Sequence, residues 1–416
     1  MSGPLNRREP CPPLAPVGRA GSGASPAETV IEGVRVVTPQ GTLPQGWIWL
    51  RGSLIAGLGG ADSPLPEEAA HAERIDGRGG WVVPGFIDVH VHGGAGYDFM
   101  FAEREGLDAI TRFHARHGTT GLLATSLTAP REQLTAVLER ISRYMDGPMP
   151  YARVLGVHFE GPFVSVKWKG AQNADYILPP RPDWLEEWVD RYPGVIKMMT
   201  LAPESEGALE YIDLLVRHGI VPSAGHTDAT FAQMTAAADR GLRHAVHTFN
   251  GMRPFHHREP GTAGAVMADD RIAAEVIADG HHVHPAGIGI LVRAKGVGNV
   301  ILITDAMEAA GMPDGDYMLG ELPVTMADGV ARLRDSGNLA GSTLTMIEAF
   351  RFMVRQVGVS VEDASRMASG NPARQLGLDG TTGSLEAGKR ADVLLLDDSL
   401  ALKGVWIGGV RLADGQ

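Results

Sequence analysis

The sequence has very little cysteine, since Cys11 is the one thiol among its 416 residues. A single cysteine forms no disulfide within the chain, and its place in a Pro-rich stretch argues against a thiolate nucleophile in the fold. Long apolar runs are also missing, because none reaches the about 18 residues that a membrane-spanning helix needs. We therefore expect a protein that does not cross a membrane and that works in a reducing compartment, the cytoplasm.

The chain also lacks an excess of basic residues. It has 37 Lys and Arg against 49 Asp and Glu, a formal net charge of −12, and no long basic run. This balance argues against nucleic acid or an anionic membrane as the main partner. A small phosphorylated substrate is still compatible with it, because one local Arg or His is enough to hold a phosphate.

Composition along the chain predicts three parts and a leader. Residues 1–28 lack the apolar core of a signal peptide, and we expect them to form a disordered leader. Alternating segments broken by Gly and Pro predict short antiparallel strands over residues 29–83, and similar segments return over residues 377–416. These two ends predict one small β-sandwich around a different middle part, residues 84–376.

The middle part alternates short apolar runs with amphipathic stretches of helical period. This alternation predicts a parallel sheet covered by helices, and eight units over about 290 residues fit a (β/α)₈ barrel. An open doubly wound sheet is the alternative, but no G-x-G-x-x-G follows the first strand. The predicted strands are residues 86–92, 120–126, 153–160, 195–202, 220–226, 244–249, 273–278 and 299–306.

Side chains that can bind a metal occur where these predicted strands end. The set consists of His90, His92, Glu160, His226, His247 and Asp305. Active sites of such barrels lie at the C-terminal ends of the strands, and imidazole and carboxylate groups are common metal ligands. The set therefore predicts a divalent metal site. Taken alone, each histidine is equally compatible with a buried core position, and Asp305 with an N-cap before the segment 306–310.

Several motifs surround these residues: PGFIDVHVHGG, HFEGPF, HTFNGM and TDAM in the middle part, and GKRADVLLLD in the part over residues 377–416. With them the chain resembles the amidohydrolase superfamily, and within it the N-acetylglucosamine-6-phosphate deacetylases. HFEGPF, HTFNGM and TDAM are specific to these deacetylases, whereas the other two are shared with many amidohydrolases. The resemblance implies a barrel with a β-sandwich. It also implies hydrolysis of N-acetylglucosamine-6-phosphate to glucosamine-6-phosphate and acetate.

The resemblance implies a role for each residue of the set. Glu160, His226 and His247 match the ligands of the principal metal, and such a site leaves a position open for water. A bound metal lowers the pKa of this water. Asp305 matches the general base that accepts its proton and passes it to the departing amine. The two first-strand histidines allow a second ion bridged by Glu160, so we expect one or two divalent ions, zinc or iron.

Further matches concern the sugar phosphate. Asn250 and Gly251 match a turn that holds the phosphate in the family. Arg258 matches a phosphate-binding arginine, whose fork can grip phosphate oxygens bidentately. The alternative for Arg258 is a surface salt bridge with Glu259 or a neighbouring residue. His282 matches a substrate-binding histidine that can come from a neighbouring subunit, and the resemblance suggests a homodimer.

The chain departs from the common family pattern at Gln172, in KGAQN, where many members have a histidine that contacts the substrate near the reacting end. Glutamine can donate a neutral hydrogen bond but cannot carry a proton. Two other classes stay open. One is an amidohydrolase for a different N-acyl amine or cyclic amide, often with a carboxylated lysine on strand four, where Lys197 lies early in the strand. The other is a barrel that binds metal without catalysis.

Overall fold

The computed structural model describes residues 28–413. The predicted leader and Cys11 therefore lie outside the described residues, apart from Glu28, which already begins a strand. Within the described part, every helix is too short or too polar to span a membrane.

Eight parallel strands form the central sheet and pair in the order in which they follow one another along the chain. The ring closes between strand one and the segment after strand eight. There the Asp305 amide donates to the His90 carbonyl oxygen (2.9 Å) and the His92 amide to that of Ala306 (2.8 Å). The predicted (β/α)₈ barrel is thus confirmed. Its strands are Phe86–Val91, Thr119–Ser126, Arg153–Glu160, Ile196–Leu201, Val221–Ala224, His244–Ala245, Ala273–Ile277 and Val300–Ile303.

Three barrel strands, the fifth, the sixth and the eighth, end two or more residues earlier than predicted. Each of them ends two residues before a member of the polar set, namely His226, His247 and Asp305. These side chains therefore lie on the turns that leave the strands, and their direction depends on turn geometry rather than on strand alternation.

Helices cover the barrel because their apolar residues recur at helical spacing. In Arg131–Met145 the buried side chains include Leu134, Val137, Leu138 and Ile141, which form one face of the helix. The α-helices are Arg104–Arg116, Arg131–Met145, Pro182–Arg191, Ala208–Arg217, Phe231–Arg240, Gly261–Ala268, Pro285–Lys295, Met346–Phe352, Val361–Ser365 and Asn371–Gln375. Two π-helical turns, Met353–Val357 and Arg366–Gly370, lie between the last three.

Both ends of the described chain join in one further sheet, which confirms a small β domain built from the two ends. Its centre is Glu28–Thr38, and Trp81–Pro84 connects this strand to Val393–Leu396 from the other end. The domain has its own apolar core, to which Ile48 and Trp406 belong. Its other strands are Gly41–Arg51, Leu54–Gly59, Glu73–Asp76, Leu402–Ile407 and Val410–Arg411. The predicted domain limits stay predictions.

A three-stranded antiparallel sheet follows barrel strand eight, formed by Gly315–Leu319, Leu322–Ala327 and Val330–Leu333. Two of its residues, Leu319 and Arg332, line a pocket at the C-terminal face of the barrel. This insertion therefore forms part of the wall of the candidate site.

Candidate active site

The C-terminal ends of five barrel strands bring the six polar side chains of the predicted set together. All six are buried, with exposed fractions from 0% for His90 to 7% for Asp305. The ligand atoms of His90, Glu160 and His247 lie within 4.8 Å of one another, and so do those of His90, His92 and Asp305. The cluster thus has two overlapping halves that share His90. One half contains Glu160 and His247, and His226 belongs to it because its Nε2 lies 3.2 Å from that of His247. The other half contains His92 and Asp305.

Glu160 lies between the histidines of both halves. Its Oε1 is 3.0 Å from Nε2 of His226, 2.9 Å from Nε2 of His247 and 3.3 Å from Nε2 of His90. Its Oε2 is 3.4 Å from Nε2 of His92. One carboxylate therefore faces all four imidazoles.

Backbone carbonyl groups fix the tautomers of two of these rings. Nδ1 of His226 lies 2.9 Å from the carbonyl oxygen of Trp168, and Nδ1 of His247 lies 3.1 Å from that of Asn250. A carbonyl oxygen can only accept a hydrogen bond, so each Nδ1 carries a proton. In the neutral rings both Nε2 atoms then present lone pairs to Glu160, and these two nitrogens are 3.2 Å apart.

This convergence of lone pairs indicates whether the residues could bind a metal. Three electron-rich atoms face one another at hydrogen-bond distance, and neutral rings place no donor between them. His90 repeats the pattern, because its Nδ1 lies 3.0 Å from Oε2 of Glu275 and its buried Nε2 has no hydrogen-bond partner among the described residues. Imidazole and carboxylate ligands of this kind suit zinc and other divalent ions. The residues therefore fit a divalent metal.

The electrostatics of the cluster favour a bound positive charge. Burial alone would raise the pKa of Glu160, but His90 and His226 outweigh burial and hold the pKa of this carboxyl well below its usual range. Burial alone would lower the pKa of His90, but Glu160, Glu275 and Asp305 outweigh it and raise this pKa well above its usual value. Either protons or a cation must balance the buried carboxylates.

The backbone is strained at three members of the set. His226, His247 and Asp305 have φ values of 47°, 29° and 52°, in the left-handed region that non-glycine residues rarely adopt. Such a conformation costs about 1–3 kcal/mol and persists where the surroundings impose it. The segment 306–310, directly after Asp305, forms a bridge and a turn and no helix, so the alternative of an N-cap is wrong.

An open pocket of about 550 Å³ lies beside the cluster, a size typical of small-molecule sites. Gly251 shows how closely its wall approaches the ligands. Its φ is +56°, and a Cβ there would lie 2.9 Å from Nδ1 of His226. The residues predicted to contact the substrate that line this pocket are Gln172, Asn250, Gly251 and His282. Lys167, Trp168 and Arg332, which the sequence did not single out, line it as well.

Arg258 is the predicted substrate-binding residue that the structure does not bring to this pocket. Its exposed side chain lies beside His257, with Nη1 of Arg258 3.0 Å from Nε2 of that ring. The alternative ion pair with Glu259 is absent from the described residues; that carboxylate accepts from the amides of Phe231 and Gly261. The phosphate-binding role of Arg258 stays a prediction.

Glu275 is a site residue that the sequence reasoning missed. It is fully buried in strand seven and accepts hydrogen bonds from Nδ1 of His90 (3.0 Å), Nε2 of His244 (2.6 Å) and the amide of His247 (3.2 Å). The available signal was a carboxylate inside the apolar run AAEVIA, because a charge in a buried strand needs partners. Glu275 orients the ring of His90 by accepting from its Nδ1, as carboxylates often do behind a histidine that binds a metal.

Asp228 is a second missed residue, two positions after His226. It accepts hydrogen bonds from Nζ of Lys167 (3.0 Å), Nε1 of Trp168 (2.7 Å) and the guanidinium of Arg253 (3.1 and 2.9 Å). These bonds hold the segment whose carbonyl oxygen, that of Trp168, fixes the tautomer of His226.

Lys197 lies far from the cluster along its strand. It is the second residue of Ile196–Leu201 and packs near Gly156, whereas Glu160 is at the C-terminal end of the neighbouring strand. A carboxylated lysine at this position would not bridge ions at the strand ends. This placement disfavours the amidohydrolase classes that depend on such a bridge.

Comparison with known proteins agrees with this geometry. The chain matches the amidohydrolase family over residues 81–412. It is 40% identical to the N-acetylglucosamine-6-phosphate deacetylase of Vibrio furnissii, over 83% of this chain and 86% of that protein. It is also 40% identical to the N-acetylgalactosamine-6-phosphate deacetylase of Escherichia coli O157:H7, over 91% of this chain and 98% of that protein.

A solved structure agrees as well. The chain superposes on a mutant N-acetyl-D-glucosamine-6-phosphate deacetylase of Mycobacterium smegmatis, in complex with N-acetyl-D-glucosamine-6-phosphate, with a TM-score of 0.87. The sequence identity is 36%, and the match covers 93% of this chain and 99% of that one. The chain therefore belongs to the amidohydrolase family and, within it, to the N-acetylglucosamine-6-phosphate deacetylases.

Proposed function

We propose that this chain hydrolyses the acetamide bond of N-acetylglucosamine-6-phosphate and releases glucosamine-6-phosphate and acetate. The observation that carries the proposal is the convergence of imidazole and carboxylate lone pairs beside Asp305 and an open pocket of about 550 Å³. A second carboxylate next to a metal-ligand cluster is what hydrolysis of an unactivated amide requires, because the nitrogen must be protonated to leave.

We propose that Glu160, His226 and His247 hold the principal divalent ion, and that His90 and His92 allow a second one. Zinc and iron are both compatible with imidazole and carboxylate ligands. When bound, such an ion polarises the amide carbonyl and lowers the pKa of water at the site. The scarcity of cysteine favours a cytoplasmic location for this chemistry.

Asp305 is the group that we propose to move protons. Its Oδ1 lies 3.0 Å from Nε2 of His92 and 3.5 Å from Nε2 of His90, and its side chain borders the pocket. It accepts a proton from the attacking water while the new C–O bond forms. It then donates this proton to the nitrogen while the C–N bond breaks, so that water and amide yield acetate and amine.

We propose that the turn of Asn250 and Gly251, together with His282, binds the sugar phosphate. Nδ1 of His282 lies 2.6 Å from Oδ2 of Asp279, which orients the ring, and His282 lines the pocket of its own chain. Because Arg258 of the same chain lies outside this pocket, we propose that it reaches the pocket of a second copy in a homodimer.

A second candidate substrate is N-acetylgalactosamine-6-phosphate, the epimer at C4. It is favoured by the relative from Escherichia coli O157:H7, which is matched over 98% of its length at the same identity as the Vibrio furnissii deacetylase. Both sugars carry the same acetamide and phosphate groups. Hydrolysis of either sugar therefore requires the same cluster. The two substrates differ only in the pocket contacts of the C4 hydroxyl group.

The test is acetate release from both phosphorylated sugars and from free N-acetylglucosamine. Hydrogen bonds to charged groups contribute about 1.5–3 kcal/mol each, so losing two of them should lower kcat/KM about 10²–10⁴-fold for the free sugar. Equal kcat/KM for the free and the phosphorylated glucosamine derivative would refute the proposed substrate. A tenfold preference for the galactosamine derivative would replace it by the second candidate.

Asp305→Asn is the matched variant for the mechanism. It should lower kcat about 10²–10⁴-fold, the usual loss for a general base, while metal content and fold are retained. Residual activity above a tenth of wild type would remove Asp305 from the proton transfer.

A further inference from the structure

Two hydrogen bonds of the Gln172 side chain show which atom of its amide group is the oxygen and which is the nitrogen. Its side chain is buried, and its Oε1 accepts a hydrogen bond from the amide of Thr128 (2.7 Å). Because a backbone amide can only donate, this contact fixes which end of the side chain is oxygen. The NH₂ group must therefore face Glu160, whose Oε2 lies 2.7 Å from Nε2 of Gln172.

The two oxygens of Glu160 consequently have different surroundings. Oε1 has the Nε2 atoms of His226, His247 and His90 within 3.3 Å. Oε2 receives the hydrogen bond of Gln172 and has one imidazole near it, that of His92 at 3.4 Å. A donor at this distance from a carboxylate makes a charge-assisted bond, which both fixes the carboxylate and draws electron density from the oxygen it contacts.

We propose that Gln172 is a positioning residue that makes the two halves of the metal site unequal. This inference rests on the proposed metal-dependent function. By holding Glu160, Gln172 keeps Oε1 directed at His226 and His247, so this half binds a divalent ion tightly. By donating to Oε2, Gln172 makes this oxygen a poorer metal ligand. Because the half with His92 would share Oε2, this half binds a second ion weakly. The departure from the family pattern at this position thus acts on metal binding rather than through proton transfer.

Part of the NH₂ group of Gln172 is still available to the substrate. An amide NH₂ group has two hydrogens, and Glu160 takes one of them. One N–H therefore stays free for a ligand in the pocket that Gln172 lines. A direct contact between this NH₂ group and the substrate is then a single neutral hydrogen bond.

The experiment is titration of metal-stripped protein with Zn²⁺ against a chromophoric chelator, which gives two stepwise dissociation constants without any substrate. In wild type we expect the constants to differ at least 100-fold. Gln172→Met keeps the length of the side chain and removes the hydrogen bond. It should weaken binding of the tight ion about tenfold, the lower limit for losing a group that hydrogen-bonds to a metal ligand. The ratio of the two dissociation constants should narrow by at least a similar factor.

Gln172→Glu provides an independent arm. It places a second carboxylate beside Oε2 of Glu160, so it should strengthen the weak ion at least tenfold and also narrow the ratio. The control is Gln375→Met, because Gln375 makes an exposed hydrogen bond to the carbonyl oxygen of Arg243 and contributes nothing to the pocket. This control should leave both constants unchanged.

Two results would overturn the inference. One is equal affinity for both ions in wild type, and the other is a pair of Gln172 variants whose constants match wild type within twofold. A chain that binds Zn²⁺ as expected but releases no acetate from the phosphorylated sugars would refute the proposed substrate and leave the inference standing. The two failures are therefore distinguishable.

Discussion

Replacing Glu275 by glutamine tests how strongly metal affinity depends on the negative charge that contacts the ligand His90. A glutamine can keep every hydrogen bond of Glu275. Its oxygen can accept from Nδ1 of His90 and from the amide of His247, while its NH₂ group faces Nε2 of His244. His244 can adapt, because its Nδ1 has no partner among the described residues and can take the ring proton. The fold should therefore survive, and the negative charge alone is lost.

The expected magnitude follows from the kind of bond that is weakened. A hydrogen bond to a charged group contributes about 1.5–3 kcal/mol and a neutral one about 0.5–1.5 kcal/mol, so His90 loses roughly 1–1.5 kcal/mol of support. This corresponds to about a tenfold loss in affinity for the ion that His90 binds, since about 1.4 kcal/mol is a factor of ten. The assay is the Zn²⁺ titration, with circular dichroism to verify the fold.

The matched control is Glu275→Leu, which leaves three buried donors without an acceptor. Each unsatisfied donor costs about 1–3 kcal/mol, so this variant should lose stability or fail to fold. If Glu275→Gln bound both ions within twofold of wild type, His90 would not depend on the charge behind it. If Glu275→Gln unfolded as Glu275→Leu does, the argument that its hydrogen bonds can be kept would be wrong.

Three further predictions concern other parts of the chain. Replacing both His90 and His92 by alanine should remove one ion per chain and lower kcat, as measured by elemental analysis and acetate release. If the double variant kept the metal content and activity of wild type, a second ion would be excluded. Burial lowers the pKa of His114 to about 4, below its unfolded value of 6.5. The unfolded chain therefore binds more protons, and this group alone should lower the free energy of unfolding by roughly 2.5 kcal/mol from pH 6.5 to pH 4. Urea denaturation should show a smaller fall for His114→Gln, and an equal fall would contradict this cause. Arg253→Met removes the partly exposed ion pair with Asp228, and Asp228 holds the segment that orients His226. Such an ion pair contributes about 0.5–1 kcal/mol, so the variant should weaken Zn²⁺ binding about 2–5-fold. An unchanged dissociation constant would show that other contacts hold this segment.

The barrel could be predicted because each of its strands is a short apolar run between amphipathic helices. Strand ends were less predictable. The run IVPSAGH was expected to continue to His226, but the strand ends at Ala224. His226, two residues beyond it, adopts a left-handed conformation that tertiary contacts impose and that apolar periodicity does not encode. The same reason applies to the turn at Asp305.

The candidate ligands could be predicted because strand ends of a parallel barrel meet on one face. The groups that orient them could not, since they come from other strands and loops. Glu275 reaches His90 across 185 positions of sequence, and the bond from Gln172 to Glu160 depends on how one loop covers the barrel. Arg258 is the opposite case. The family motif predicts that it binds the phosphate, but in the structure it lies on an exposed loop outside the pocket of its own chain.

Charge balance connects the number of ions with the choice of substrate. Three buried carboxylates, those of Glu160, Asp305 and Glu275, surround the histidines, so one divalent ion leaves a net charge of −1 and two leave +1 if the rings are neutral. A phosphorylated sugar is itself an anion and would be repelled by the first arrangement. At an effective dielectric constant near 20, unit charges about 8 Å apart interact by roughly 2 kcal/mol, which is more than tenfold in affinity. A weakly bound second ion, as inferred from Gln172, would therefore bind best when the phosphorylated substrate is present, so that substrate and ion favour each other.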